Sequence, residues 1–325
     1  METLLDLLSF TLKVVLVSAA ALVVIAAAAR SQGGSKEGGL RIVDWGARWA
    51  GYRSVMLRAR RSKEAKQAKK DAKKQAKQSP KGTVWVLAFN GDMRVSGLKG
   101  LREAVSAILV AADRETDQVC VRLKSPGGGV SEYGLAASQM VRLREAGLPL
   151  TVAVEGVAAS GGYMMAVVAN HIMAAPFAAV GSIGVVAQVP NFHRALKKAD
   201  VDVEVLTAGK HKRTLTVLGE NTDEGRAKFK DDLEQIHRLF KSFVTTYRPD
   251  LDIERVAEGD VWFGSDALEV GLIDEVAQVD DWLMAHSQDK AVLEVRYQVP
   301  KTLGWKLGRS MRQFTRSIGA LPWTR

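Results

Sequence analysis

Three turns rich in glycine and serine carry the groups that suit acyl-transfer chemistry: KSPGGGVSEYG (124–134), VAASGGYMMA (157–166) and AAVGSIGVV (178–186). The middle turn puts Ser160 after an apolar, strand-like run and directly before a helical-looking one. A serine there sits at a helix N-terminus, where exposed amides and the helix dipole favour negative charge. Gly161 and Gly162 let a ligand approach the backbone closely. A serine nucleophile needs both features, because its tetrahedral intermediate carries an oxyanion that wants N–H donors. The same residues read equally well as an N-cap serine with packing glycines, and the motif alone does not separate the two. In the first turn, consecutive amides of Gly127, Gly128 and Gly129 can form an anion nest. It lacks the G-K-[ST] ending of a nucleotide loop, which disfavours phosphate. Two glycine turns after two adjacent strands can supply the two halves of one oxyanion hole.

A serine also needs a base. The five histidines are His171, His193, His211, His237 and His286. His171 falls at a strand start and reads as a structural residue, and His237 reads as an exposed residue of a charged helix. The remaining region is TAGKHKRTL (207–215), with Lys210, His211 and Lys212 together. A lysine serves as base only when burial or neighbouring positive groups lower its pKa from about 10.4. Composition does not choose among these three.

Four ordered motifs add to this reading: S-P-G-G, A-S-G-G-Y, G-S-I-G-V and A-G-x-x-K, followed by FVTTYRP and by the Gly259–Asp274 stretch. In these the chain, over about residues 83–280, resembles the signal peptide peptidase A / SohB family of serine peptidases. The apolar N-terminal stretch and the lysine-rich region after it are nearest to the SohB branch. The resemblance implies a ClpP/crotonase-like spiral of ββα units and a Ser/Lys dyad. Carried onto this chain, the nucleophile is Ser160 and the base is Lys212, the lysine of Gly209-Lys210-His211-Lys212. Ser182 matches the serine that hydrogen-bonds the base. The oxyanion donors are the amide of Gly161 and that of Gly127 or Gly128. A second lysine at 210 leaves register as the argument for Lys212. The resemblance further implies a homo-oligomer, in which the lysine can come from the same subunit or from a neighbouring one. Two rival readings use the same chain differently: an acyl-CoA enzyme on the crotonase fold, and a non-catalytic membrane scaffold.

The elements that must position these residues are read from periodicity. VWVLAF (84–89), VCVRLK (119–124), LTVAVEG (150–156) and VDVEVLT (201–207) read as strands. Residues 101–113, 132–147 and 223–248 read as helices between them. Alternating strand and helix predicts an α/β fold with mostly parallel strands. From Gly156 to His193, 38 residues lack Asp, Glu, Lys and Arg. The frequent Gly and Pro there suit short buried elements better than a second membrane span. Cys120, the only cysteine, lies in an apolar run and reads as a buried structural residue, which excludes an intrachain disulfide framework.

The net charge of +10 is local. Residues 41–82 carry a net +11 and the remainder a net −1. A chain that is 47% apolar and 25% charged is ordinary for a globular protein. Residues 1–30 read as a transmembrane anchor, since Leu7–Ala29 is a 23-residue stretch whose one charge is Lys13. The acidic Glu2 and Asp6 argue against a signal peptide. Residues 31–82 read as a basic juxtamembrane linker, with Ile42, Trp45, Trp49, Tyr52, Val55 and Met56 forming an amphipathic helix on an anionic surface. Residues 83–300 form the peptidase domain, and 301–325 a second basic amphipathic segment. The expected partners are a peptide or protein substrate, a lipid membrane and further copies of the chain. The expectation includes no cofactor, no metal and no nucleic acid. It places the chain in the cell inner membrane, single-pass. Basic residues after the span favour a cytoplasmic body, while the resemblance allows an external one.

Overall fold

The computed structural model describes residues 11, 38–60, 70 and 80–298. The expected anchor and the C-terminal amphipathic segment lie outside the described residues, apart from Thr11. Among the described residues, no helix is long and apolar enough to cross a membrane. A compact unit runs from Arg41 to Arg296; a second unit, 1–40 with 297–325, lies almost wholly outside the described residues. Thus residues 41–60, read from the sequence as linker, belong to the compact unit.

Three apolar runs become the parallel centre of a sheet: β2 (Thr83–Asn90), β3 (Gln118–Ser125) and β4 (Leu150–Ala159). Their residues are buried on both faces, as parallel strands covered by helices require. Alternate residues enter two separate cores. Val84, Val86, Cys120 and Ala153 pack on one face, and Leu87, Phe89, Val121, Leu123 and Val152 on the other. Helices α2 (Leu98–Ala111) and α3 (Val130–Glu145) make the crossovers from β2 to β3 and from β3 to β4. Short α4 (Gly161–Ala166) leads on to β5 (His171–Ala174). With β1 (Gly39–Asp44), β6 (Ala179–Gly181), β7 (Val261–Phe263), β8 (Glu275–Val276) and β9 (Ala291–Gln298), the main path of the sheet is β1-β9-β2-β3-β4-β5-β8.

Strand β4 forks, and the fork builds the site. Thr151–Val154 pairs with β5, whereas Val157–Ala159 pairs with β6. Leu123 faces Val154 and Ser125 faces Ala158, so β4 gains two residues on β3 at a bulge. A bulge bends the strand and re-aims the residues after it. Here it turns the end of β4, and Ser160 beyond it, towards β6 and the SPGGG turn.

The remaining elements are α1 (Trp45–Ala59), α5 (His193–Lys198), α6 (Asp223–Tyr247), α7 (Ile253–Val256), α8 (Gly264–Glu269) and α9 (Val279–His286). The strand expected over 201–207 is absent: these residues are irregular, and Val201, Val205 and Leu206 are exposed. Alternation there has no neighbouring strand to pair with, and pairing is what stabilises a strand. The charge-free stretch 156–193 does break into short elements. Cys120 is fully buried, and burial pushes its thiol up to about 12, so it stays a neutral packing residue. In α1, Trp45 faces the body rather than a surface: it is buried, and its indole donates to Glu294 Oε2 at 2.9 Å.

Candidate active site

Ser160 stands between β4 and α4 with φ 52° and ψ −121°. This backbone is strained for any residue with a β-carbon, and such strain collects at functional turns. It is the geometry of a sharp strand-to-helix elbow that lifts a serine hydroxyl clear of the sheet. The Ser160 amide donates to the Gly181 carbonyl at 2.8 Å, and the Met164 amide donates to the Ser160 carbonyl at 3.0 Å. The register Ala158↔Val180 and Ala159↔Gly181 ends one residue before Ser160 and Ser182, which follow it on the two strands. Ser182 is strained too, with φ 50°, and its amide donates to the Asp260 carbonyl at 2.7 Å. Both serines are half-buried, and neither hydroxyl has a hydrogen-bond partner among the described residues.

The SPGGG turn closes against this elbow. Gly127 has φ 87°, and a β-carbon placed on it would fall 2.8 Å from Ser160 Cβ and 2.9 Å from the Gly161 nitrogen. Only glycine allows that approach. The Gly127 amide is already spent, donating to Ser125 Oγ at 3.2 Å. Among the described residues, no acceptor takes the amide of Gly128 or Gly161. Of the two sequence alternatives, Gly128 is therefore the one whose donor stays free.

Beneath the turn lies a polar pair that sequence reading missed. Ser125 and Tyr133 are fully buried, with Ser125 Oγ 2.6 Å from Tyr133 Oη. The Tyr133 hydroxyl donates to the Asp92 carbonyl at 3.1 Å. Burial pushes the Tyr133 hydroxyl above its ordinary pKa, more than the Ser125 bond lowers it, so it keeps its proton. The signal available was the Tyr in GGGVSEYG, one helical turn after the glycines, but a tyrosine in a helix ordinarily means core.

The base candidates separate. Lys210 Nζ lies 2.9 Å from Glu224 Oε1 in an exposed pair. The Glu224 hydrogen bond and charge raise the Lys210 pKa, the opposite of what a base requires. Lys212 lies in an exposed turn, where its amide donates to the Gly209 carbonyl at 3.1 Å. Among the described residues, its ammonium has no hydrogen bond or ion pair, and none reaches Ser160 or Ser182. The structure thus brings Ser160, Ser182, Gly127, Gly128 and Gly161 together and does not bring Lys212 into hydrogen bond with them. His171 is satisfied by Glu275 at 3.0 Å. His237, expected to be exposed, is half-buried with a buried, unpartnered Nε2, because that face of α6 packs inward. Among the described residues, no group of His, Cys, Asp and Glu can hold a metal.

Comparisons with known proteins give the family of the chain. The model "Peptidase family S49 N-terminal" matches residues 2–140, and "Peptidase family S49" matches residues 142–293. "Probable protease SohB" of Haemophilus influenzae is 54% identical over 233 residues, covering 72% of this chain and 66% of that protein. "Probable protease SohB" of Buchnera aphidicola subsp. Acyrthosiphon pisum is 48% identical over 238 residues, covering 73% and 68%. The chain thus spans about two thirds of the length of these relatives. Among solved structures, a mutant of the 1510-N membrane-bound stomatin-specific protease, in complex with a substrate peptide, matches at TM-score 0.41 and 15% identity, over 63% of this chain and 80% of that one. By its matches from residue 2 to residue 293, and by its identity to the SohB proteins, this chain belongs to peptidase family S49.

Proposed function

We propose that the chain is a membrane-bound serine endopeptidase on a ClpP/crotonase-like scaffold, with Ser160 as nucleophile and Lys212 as general base. One observation carries the reading: a strained serine between strand and helix, closed on by the SPGGG turn, with the amides of Gly128 and Gly161 unclaimed. Neutral Lys212 takes the Ser160 proton, and the alkoxide attacks a peptide carbonyl. The two amides receive the negative charge on the carbonyl oxygen. The lysine then protonates the leaving amine, and water resolves the acyl-enzyme. Ser182, next to Ser160 across β4 and β6, holds the lysine. The turns around Ser160 are rich in Ala, Met, Val and Gly, which suits small or apolar side chains of membrane-derived peptides, signal-peptide remnants or unfolded proteins.

The lysine must be delivered, and the segment bearing it has the character of an interface. Between Ser182 and α6, Val186, Phe192, Val201, Val205, Leu206, Val217 and Leu218 are exposed. We read these exposed apolar residues as a surface that a second copy covers. A second copy that covers it would seat Lys212 at the neighbouring Ser160, desolvated enough to lose its proton. The membrane reading rests on Leu7–Ala29 and on α1, where Tyr52, Val55 and Met56 are exposed among arginines. Cleavage of an apolar peptide by the full chain in detergent tests the function. The Ser160→Ala variant, folded to the same melting temperature, loses all cleavage; undiminished cleavage would refute the assignment.

A further inference from the structure

Between Asp92 and the SPGGG turn runs a chain of hydrogen bonds with one possible direction. The Asp92 carbonyl can only accept, so the Tyr133 hydroxyl donates to it at 3.1 Å. The Ser125 hydroxyl, 2.6 Å from Tyr133 Oη, must then donate to that oxygen. Ser125 Oγ is left as acceptor and takes the Gly127 amide at 3.2 Å. Each hydroxyl gives its single proton once.

Three glycines pack against this pair. A β-carbon at Gly91 would lie 2.4 Å from both Ser125 Oγ and Tyr133 Oη. One at Gly162 would lie 2.5 Å from the Ser125 carbonyl oxygen, and one at Gly161 would lie 2.3 Å from Tyr133 Cγ. The pair therefore touches both halves of the elbow. The Tyr133 ring supports the backbone of Gly161, and its hydroxyl, through Ser125, fixes Gly127 and so the direction of the next amide, Gly128.

The geometry points to Tyr133, acting through Ser125, as the positioning residue that sets the two oxyanion donors at one distance from each other. The inference rests on the peptidase reading and adds a role to it. Both residues are fully buried, so their role is one of positioning. A displacement of an oxyanion donor by about 1 Å can cost on the order of a hundredfold in rate.

The test compares wild type, Tyr133→Phe and Ser125→Ala in peptide cleavage and in binding of a peptide boronate, which mimics the tetrahedral intermediate. Tyr133→Phe keeps the ring on Gly161 and removes only the hydroxyl. Its kcat falls at least about tenfold with KM within about twofold, and boronate affinity falls in parallel with kcat/KM. Ser125→Ala gives the same pattern, and the double variant is no worse than the more severe single one, because both cut one chain. If Tyr133→Phe does not fold, Ser125→Ala decides alone. A variant whose melting temperature drops while kcat and boronate affinity hold would overturn the role and leave only a packing function. A wild-type chain that neither cleaves nor binds the boronate would overturn the peptidase reading itself, and the positioning role with it.

Discussion

At position 160 the backbone takes φ 52° and ψ −121°, a conformation that costs a serine about 1–3 kcal/mol. Two neighbours make the strain tolerable and useful: Gly181 accepts the serine amide, and Gly127 stands where any side chain would collide. Gly161 is as constrained. Its β-carbon would press 2.3 Å from Tyr133 Cγ, and Tyr133 is fully buried. Gly161→Ala should lose about 1–3 kcal/mol by overpacking and lose reaction with a serine probe, read by thermal melts and by labelling. The lysines are separable at this scale as well. Lys210 is tied to Glu224 and Lys212 is not. Lys210→Ala should keep most probe labelling, while Lys212→Ala should lose on the order of a hundredfold or more; the reverse order would move the base to 210. The glycine and serine turns were legible in the sequence as places with a backbone need, but they left Ser160 undecided between nucleophile and N-cap, and the family resemblance assigned the roles. Tyr133 and Ser125 were not, since a core tyrosine and a turn serine look alike wherever they occur. Which of Gly127 and Gly128 keeps a free amide depends on a three-dimensional bond to Ser125.

Among the elements, β4 decides the site. Its bulge against β3 and its fork between β5 and β6 carry Ser160 to Ser182 and the glycine turn. The sequence showed β4 as an apolar run, and residues 84–89, 119–124 and 150–156 all fall in strands as expected. A register shift leaves no compositional mark, so the fork was invisible. The expected strand at 201–207 shows the converse: alternation is necessary for a half-buried strand but does not supply the neighbour it needs. Helix α1 and β9 meet through Glu294, which is buried and paired with Arg296 and Trp45. Burial pushes its carboxyl up, but the bonds from Arg296 and Trp45 outweigh it and hold the pKa below the ordinary 4.5. A lowered folded-state pKa means stability that is complete above the unfolded value and lost as pH falls through the folded one. Glu294→Gln should therefore cost about 1–3 kcal/mol at neutral pH. The difference in melting temperature should shrink below about pH 4.5; a gap that widened in acid would contradict the pairing.

For the whole molecule, the basicity is gathered at 41–82, and apolar residues between Ser182 and α6 are exposed; the proposed membrane and second copy would each cover one of these features. Sequence patterning showed the charge readily, because charge needs no fold to be counted. It misread the 201–207 region, because exposed apolar residues at alternate positions read like those of a half-buried strand. If the partner is a second copy that lends Lys212, co-assembly of Ser160→Ala with Lys212→Ala chains should restore cleavage that neither has alone; failure to restore it would place the lysine in its own subunit. The central claim is simpler and more exposed. Treatment of the full chain with a fluorophosphonate, followed by peptide mapping, should find one adduct, on Ser160, absent after Ser160→Ala and strongly reduced after Lys212→Ala. An unlabelled Ser160 in a folded, assembled protein, or labelling that survives Ser160→Ala, would contradict the account.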